Sequence, residues 1–455
     1  MFAKINFHDE FYQKLKLLVL PITMQQFMLA LVSATDAIML GAVSQTSLSA
    51  VSLAGQIQFV LNLFISGISA GSGIMAAQYW GKKDAASIEE VMPIALRTNL
   101  IFSGAFTVFA AVAPEVLMRI FTSDPALIES GAVYLRAVSL SYLLCGISQI
   151  YLILLKNTGY ATVSSRISCT AVVVNIICNA ILIYGLLGLP ALGIQGAAYA
   201  TVAARLVELV WSYLETKQSG RVQVIWKKMF HAADAVLTKD FWRYTMPVLG
   251  AALVWGIAYV SYSVIMGHMG SDAVAANSIT TIAKNMLSCL IRGVSGGAGV
   301  LIGNLLGAGE LDKAKVYGGR LTRMAIVVGM TTGGLLMLIS PLIVRFAPLS
   351  DTAAEYLQYM LIFCGCNIMA QSVNTTVLDG IFCAGGDSKF DMKGNLGAMW
   401  CFSVPFGFFA AFVLKWPVMV VYCIVNLDEI VKIPAVYLHY KKYIWVRNIT
   451  VQEDA

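Results

Sequence analysis

Charge is what this sequence has least of. Asp, Glu, Lys and Arg make up only 12% of its 455 residues, where a soluble domain carries about 25%. That shortage excludes an ordinary soluble domain and a solvated disordered chain alike. The catalytic vocabulary is thin as well. The four histidines, His8, His231, His268 and His439, are dispersed. No H-E-x-x-H puts two of them on one helix face, and no G-x-S-x-G follows a strand. No G-x-x-x-x-G-K-[ST] loop is there to cradle the phosphates of ATP. Neither an enzyme nor an ATP-driven machine is expected, and no cofactor. The nine cysteines lack paired loop spacing and lie in or beside apolar runs, as small packing residues do. Cys364 and Cys366 have no His near them to complete a metal site.

What is there instead is apolar sequence, 58% of the chain. A membrane-spanning helix takes about 20 mainly apolar residues. Such runs recur at 16–43, 51–80, 91–120, 130–156, 165–187, 191–214, 242–268, 275–305, 318–346, 353–382, 391–413 and 416–438. Lipid offers backbone groups no partners, so these are expected to be helices, spans 1 to 12 of an all-α integral membrane protein. Span 1 follows the polar segment KINFHDEFYQKLK and is too long for the core of a signal peptide, so it is expected to be retained.

Positive charges alternate between the loops. Lys4, Lys14 and Lys16 precede span 1. The even loops carry Lys82 and Lys83, Lys156 and Arg166, then Lys217, Arg221, Lys227, Lys228 and Lys239, then Lys313 and Lys315, then Lys389 and Lys393. Lys441, Lys442 and Arg447 follow span 12, whereas the odd loops hold only Arg119, Arg345 and Lys415. The positive-inside bias puts both termini in the cytoplasm, which requires an even number of spans in the inner (plasma) membrane. The net charge of +6 is therefore explained by the bilayer, and no nucleic-acid partner is expected.

The chain repeats itself. FISGISAGSGIMAAQYWGKKD (64–84) aligns without a gap on LIRGVSGGAGVLIGNLLGAGE (290–310) at an offset of 226. Gly67, Ser69, Gly71, Gly73 and Gly81 fall on Gly293, Ser295, Gly297, Gly299 and Gly307. The same offset carries Pro21 onto Pro247 and Gly41 onto Gly267. Each repeat is six spans, an even number, so the halves run parallel, related by a pseudo-twofold axis along the membrane normal. Such repeats recur in secondary transporters, with the substrate path at their interface. The expected division is an N-lobe over 1–216, a linker over 217–240 and a C-lobe over 241–455. The linker KQSGRVQVIWKKMFHAADAVLTKD is long enough for an amphipathic surface helix. The Gly, Ser and Ala stripe of spans 2 and 8 reads as close helix packing or as a site of bending.

One acid breaks the pattern. Asp36 is the only formal charge between Leu17 and Val43. A carboxylate at mid-span costs a few kcal/mol, so it is either a structural acid satisfied by hydrogen bonds or a cation site. The second reading is preferred, because a buried acid is a natural carrier of a proton or a small cation. Gln25, Met28, Val32 and Met39 lie on or beside its helix face and are substrate-binding candidates, although Met at this spacing is also ordinary packing. The offset of 226 maps Asp36 onto Tyr262, a further candidate, so the repeats have diverged at this position.

The chain resembles the MATE (multidrug and toxic compound extrusion) transporters of bacterial type over essentially its whole length. The resemblance rests on DAIMLG in span 1, GISAGSG and QYWG in span 2, VVNIICNAILIYG followed by LGIQGAAYAT, AGGD after span 10, and LDEIVK in span 12. It implies two six-helix bundles and an antiporter that exports organic, mostly cationic, amphipathic small molecules in exchange for H+ or Na+. It implies that Asp36 binds the coupling cation with Asn175, Asn179 and Thr201 in the same polar network, Na+ at Asp36 being allowed. Sodium-coupled members have a Glu in span 7 and an Asp in span 10. Here Ala251 or Ala252 and then Ser372 and Asn374 stand near those levels, and Asn395 stands where relatives have an Asp in span 11. A C-lobe sodium site is therefore not expected.

Lys284, Arg292 and Asp379 are candidates for a C-lobe charge pair, or for side chains reaching a membrane surface. Asp428, Glu429 and Lys432 in span 12, and Arg205 and Glu208 in span 6, have the spacing of intrahelical ion pairs. A flippase for a lipid-linked precursor is the alternative transporter, but it calls for a strongly cationic cavity. An ion channel or a membrane enzyme is a remoter reading. A functional monomer in the lipid bilayer is expected.

Overall fold

The computed structural model describes residues 9–188, 190–230, 234–347 and 349–451. Lys4, His8 and His231 lie outside these residues. Among the described residues there is no strand, and twelve long helices follow the twelve spans. They are α1 Glu10–Val43, α2 Gln45–Gly81, α3 Ala85–Val112, α4 Pro125–Asn157, α5 Ala161–Tyr184, α6 Ile194–Thr216, α7 Ala235–Gly267, α8 Ser271–Gly307, α9 Leu311–Phe346, α10 Asp351–Phe382, α11 Ser388–Val413, and α12 in two segments, Val418–Val425 and Asp428–Tyr440.

Ten of the described helices are long and apolar enough to cross a membrane. The other two are α6, diluted by the internal charges Arg205 and Glu208, and α12, which is broken into segments of 8 and 13 residues and carries Lys432 with Asp428 and Glu429. Each set is paired within its helix, Arg205 to Glu208 at 3.0 Å and Lys432 to Glu429 at 3.1 Å. Ser148 of α4 also donates to Glu208 at 2.6 Å.

Helix starts are set by short polar side chains that accept from the first free amides. Ser44, Asp84, Asp124 and Ser350 do this for α2, α3, α4 and α10. Asp9 does it for α1, accepting from the Phe11 amide at 3.0 Å and from Arg320 at 2.5 Å. The Phe11 amide and the Arg320 guanidinium hold the Asp9 carboxyl below the usual carboxylate range. Helix α1 therefore begins six residues before the apolar run, inside the polar segment, with Phe11 and Leu15 buried in a core with Leu306, Phe382 and Trp445.

The chain forms two compact units, Met1–Gln26 with Gly250–Ala455, and Phe27–Leu249. The division falls inside α1 and α7, a few residues after Pro21 and Pro247, and not at 217–240. The small-residue stripes explain this. A Cβ on Gly67 would meet the Leu249 Cα at 2.8 Å, and one on Gly71 the Thr245 Cα at 2.6 Å. In the other unit a Cβ on Gly293 would meet the Thr23 backbone nitrogen at 3.0 Å, and one on Gly297 the Val19 Cγ2 at 2.9 Å. These contacts are equivalent under the offset of 226. The stripe of α2 takes the first turns of α7, and the stripe of α8 takes the first turns of α1. Close packing is thus what these glycines do.

The linker corrects one expectation. It is not an amphipathic helix over 217–240. Among its described residues only a short turn of 3-10 helix, Trp226–Phe230, interrupts it before α7 begins at Ala235. Val222 and Val224 are buried while Arg221 and Gln223 alternate with them, a period of two that suits extended chain. Single side chains pin the segment to the N-terminal unit. Arg221 pairs with Glu215 and lies over the Tyr160 ring, Trp226 donates to the Tyr151 hydroxyl, and Lys228 pairs with Glu90.

Candidate functional site

In the Phe27–Leu249 unit the polar residues of three helices meet. Asn179 of α5 donates through Nδ2 to Asp36 Oδ1 of α1 at 2.5 Å and to Asn175 Oδ1, one turn earlier, at 3.1 Å. Asn175 Nδ2 in turn donates to Thr201 Oγ1 of α6 at 3.4 Å, and Thr201 donates to the Ala197 carbonyl at 3.0 Å. All four sequence candidates, Asp36, Asn175, Asn179 and Thr201, therefore lie on one hydrogen-bonded chain. The i, i+4 spacing of the two asparagines puts both amides on one face of α5. Tyr184 ties the same two helices together further along, its hydroxyl donating to the Met39 carbonyl at 3.1 Å.

The electrostatics of this site are simple. Among the described residues no cation is paired with Asp36, and its hydrogen-bond partner is a neutral amide. Asn179 is 1% exposed, and its Oδ1 has no hydrogen-bond partner among the described residues. A half-buried carboxylate and a buried, unpartnered carbonyl oxygen stand together. That is a hard-oxygen donor set suited to a proton or a small cation.

Met28, Val32 and Met39 belong to the same unit as Asp36, and Gln25 and Tyr262 to the other. Met39 is partly buried and packs against the N-lobe core that includes Leu40, Ile183 and Ala197. Tyr262 packs against the C-lobe core around Leu361 and Cys364. Cys364 is buried and Cys366 exposed, on different faces of α10.

Among the described residues no ion pair joins Asp379 to Lys284 or Arg292. Asp379 and Arg292 are exposed and Lys284 is half-buried. The local solution wins, because Lys432 lies one turn from both Asp428 and Glu429 on its own helix. It extends to neighbouring helices in a way sequence reading missed. Asn374 of α10 donates to Glu429 Oε2 at 2.8 Å, Lys432 donates to Asn395 Oδ1 of α11 at 3.2 Å, and Asn395 donates to Asp391 at 3.0 Å. Two of these helices are locally widened into π turns, over Thr376–Phe382 in α10 and Leu396–Ser403 in α11, a distortion often found at functional sites. The available signal was three polar side chains, Asn374, Asn395 and Lys432, in otherwise apolar runs.

Comparison with known proteins matches this architecture. The MatE family model matches residues 21–181 and 247–409. The two segments begin at Pro21 and Pro247, the prolines paired by the internal repeat. The "uncharacterized transporter YisQ" of Bacillus subtilis (strain 168) is 23% identical over 91% of this chain and 90% of its own. The "probable multidrug resistance protein NorM" of Agrobacterium fabrum is 24% identical over 76% of this chain and 73% of its own. Among solved structures, a MOP superfamily transporter from Pyrococcus furiosus superposes with a TM-score of 0.86 at 17% identity, covering 95% of each chain. A MATE structure in the straight conformation gives 0.84 at 18% identity, over 95% of this chain and 96% of the other. The family model accounts for most of the chain in two copies, and the twelve-helix, two-lobe fold is that of these neighbours. The chain belongs to the MatE family of multi-pass membrane transporters.

Proposed function

We propose that this transporter exports organic, cationic amphipathic compounds in exchange for an ion bound at Asp36, and that the ion is H+. The observation that carries this reading is the Asp36–Asn179–Asn175–Thr201 chain, an acid at mid-span with no cation of its own. Relatives named as multidrug resistance proteins support the substrate class. Protonating Asp36 removes its charge and weakens its attraction for a cationic substrate, so ion and substrate exchange. To shift a two-state bundle substantially, a ligand must bind its two states with a difference of about 5 kcal/mol. Neutralising one buried charge supplies part of that. The acids expected of sodium-coupled members are replaced by Ala251 or Ala252 and by Ser372 and Asn374, which favours H+ over Na+. The protein works as a monomer in the inner (plasma) membrane with both termini cytoplasmic.

The test is efflux of a fluorescent organic cation from proteoliposomes with ΔpH and ΔNa+ imposed separately. The reading expects transport under ΔpH alone. Transport under ΔNa+ at fixed pH, with none under ΔpH, would keep the site and overturn the ion.

A further inference from the structure

Lys432 is a buried ammonium enclosed by oxygen. Its Nζ lies 3.1 Å from Glu429 Oε1, 3.2 Å from Asn395 Oδ1 and 3.4 Å from Asp428 Oδ2. An ammonium has three protons to donate; Asn395 Oδ1 and Glu429 Oε1 accept hydrogen bonds from it, and Asp428 pairs with it as a second carboxylate. The residue is 5% exposed, a condition lysine almost never adopts without partners. Acids outnumber it. Asp391, Asp428 and Glu429 are all buried in the same network, and Asp379 of α10 is close enough to bear on it. The other cations nearby, Lys284 and Arg292 of α8, form no ion pair with these acids among the described residues, and Tyr262 of α7 and the buried Cys383 thiol that follows α10 are further titratable neighbours. Asn374, 1% exposed, donates its amide protons to Glu429, while its Oδ1 has no hydrogen-bond partner among the described residues.

Converging oxygen donors around a compact charge are how proteins hold hard cations. We infer that Lys432 is a tethered cation standing in the place of a free alkali-metal ion, and that it keeps the C-lobe from binding one. Asp428 and Glu429 sit four and three residues before it on one helix, so the ammonium is present at any ion concentration. A free ion competes against a group that cannot diffuse away. Removing the ammonium leaves Asp428 Oδ2, Glu429 Oε1 and Asn395 Oδ1 as ligands around an uncompensated negative charge, which is a monovalent-cation site. For coupling, the inference rests on Asp36 being the ion site of the other lobe. The occupancy of the C-lobe stands without it.

The experiment is thermal unfolding of the purified full-length protein in NaCl or KCl against N-methyl-D-glucamine chloride at equal ionic strength. Every chain carries Asp36→Asn, which removes ion binding at the N-lobe and separates this test from the one above. Asp36→Asn alone is expected to show no cation-specific shift. Adding Lys432→Gln is expected to create a saturable rise in Tm of about 2–4 °C with Na+ or K+. If that variant does not fold, Asp428→Asn with Lys432→Gln restores the charge balance and keeps two of the three ligands, and the same rise, weaker, is expected. Lys432→Arg keeps the tethered charge and is expected to stay unresponsive. A saturable Na+ or K+ shift in Asp36→Asn alone that Asp428→Asn abolishes overturns the inference. So does a folded Lys432→Gln chain, or its charge-balanced form, with no cation-specific shift.

Discussion

Asn179 donates a 2.5 Å hydrogen bond to Asp36 across 143 residues of sequence. The bond joins α5 to α1 and orients the carboxylate. A hydrogen bond to a charged group is worth about 1.5–3 kcal/mol. Asn179→Leu is therefore expected to lower ion-driven efflux by about tenfold or more, with the protein still folded and inserted. Thr201→Ala, at the far end of the same chain and joined by a 3.4 Å contact, is expected to cost less. Efflux rates in proteoliposomes at matched protein content check both. An Asn179→Leu protein with normal efflux would mean that the bond does not serve transport.

Tyr262 occupies the repeat position of Asp36 and packs against the C-lobe core. Tyr262→Phe keeps the ring and removes the hydroxyl. Ion-driven flux is expected to stay within about twofold of the parent, as for a substitution that leaves packing intact. Loss of coupling in a folded Tyr262→Phe protein would assign a share of it to the C-lobe position.

The glycine stripes give a stability prediction. A side chain at Gly71 meets the Thr245 Cα at 2.6 Å, whereas a Cβ at Gly55, on the same helix, meets nothing within 4 Å. Gly71→Val is expected to destabilise the protein by about 1–3 kcal/mol through overpacking. Gly55→Ala is expected to be neutral or slightly stabilising, because glycine is the poorer helix former. Thermal unfolding in one detergent ranks the two, and equal effects would contradict the packing role.

Topology is open to a chemical probe. Ser219 is exposed in the linker, which the charge pattern puts in the cytoplasm. With Cys366 and Cys401 replaced by Ser, Ser219→Cys is expected to resist a membrane-impermeant maleimide in intact cells and to react after permeabilisation. Labelling of intact cells would reverse the orientation.

The sequence disclosed the fold because its signals are long and repeated. Twelve apolar runs became twelve helices, and Pro21 with Pro247 marked the two copies. Asp36 was legible because it is alone in its span, whereas Asn175, Asn179 and Thr201 were legible only through the resemblance to the MATE transporters. The C-lobe network was not, because each member has a local explanation. Lys432 with Asp428 and Glu429 reads as an intrahelical pair, and Asp391 sits at the edge of the eleventh run, flanked by Lys389 and Lys393. Only packing of α10, α11 and α12 brings Asn374, Asn395 and Lys432 together. The linker failed for the opposite reason. Its charge and length suggested a surface helix, while the period of two in RVQV already described extended chain. The boundary of the units inside α1 and α7 depends on which helix fills each glycine stripe, which a linear reading does not contain.

The measurement that bears most directly on the proposed mechanism is ΔpH-driven efflux of an organic cation by the Asp36→Asn protein, beside substrate binding by the same preparation. The expected result is a folded, substrate-binding protein whose ΔpH-driven efflux is abolished. Normal efflux under ΔpH would make Asp36 a structural acid and contradict the mechanism.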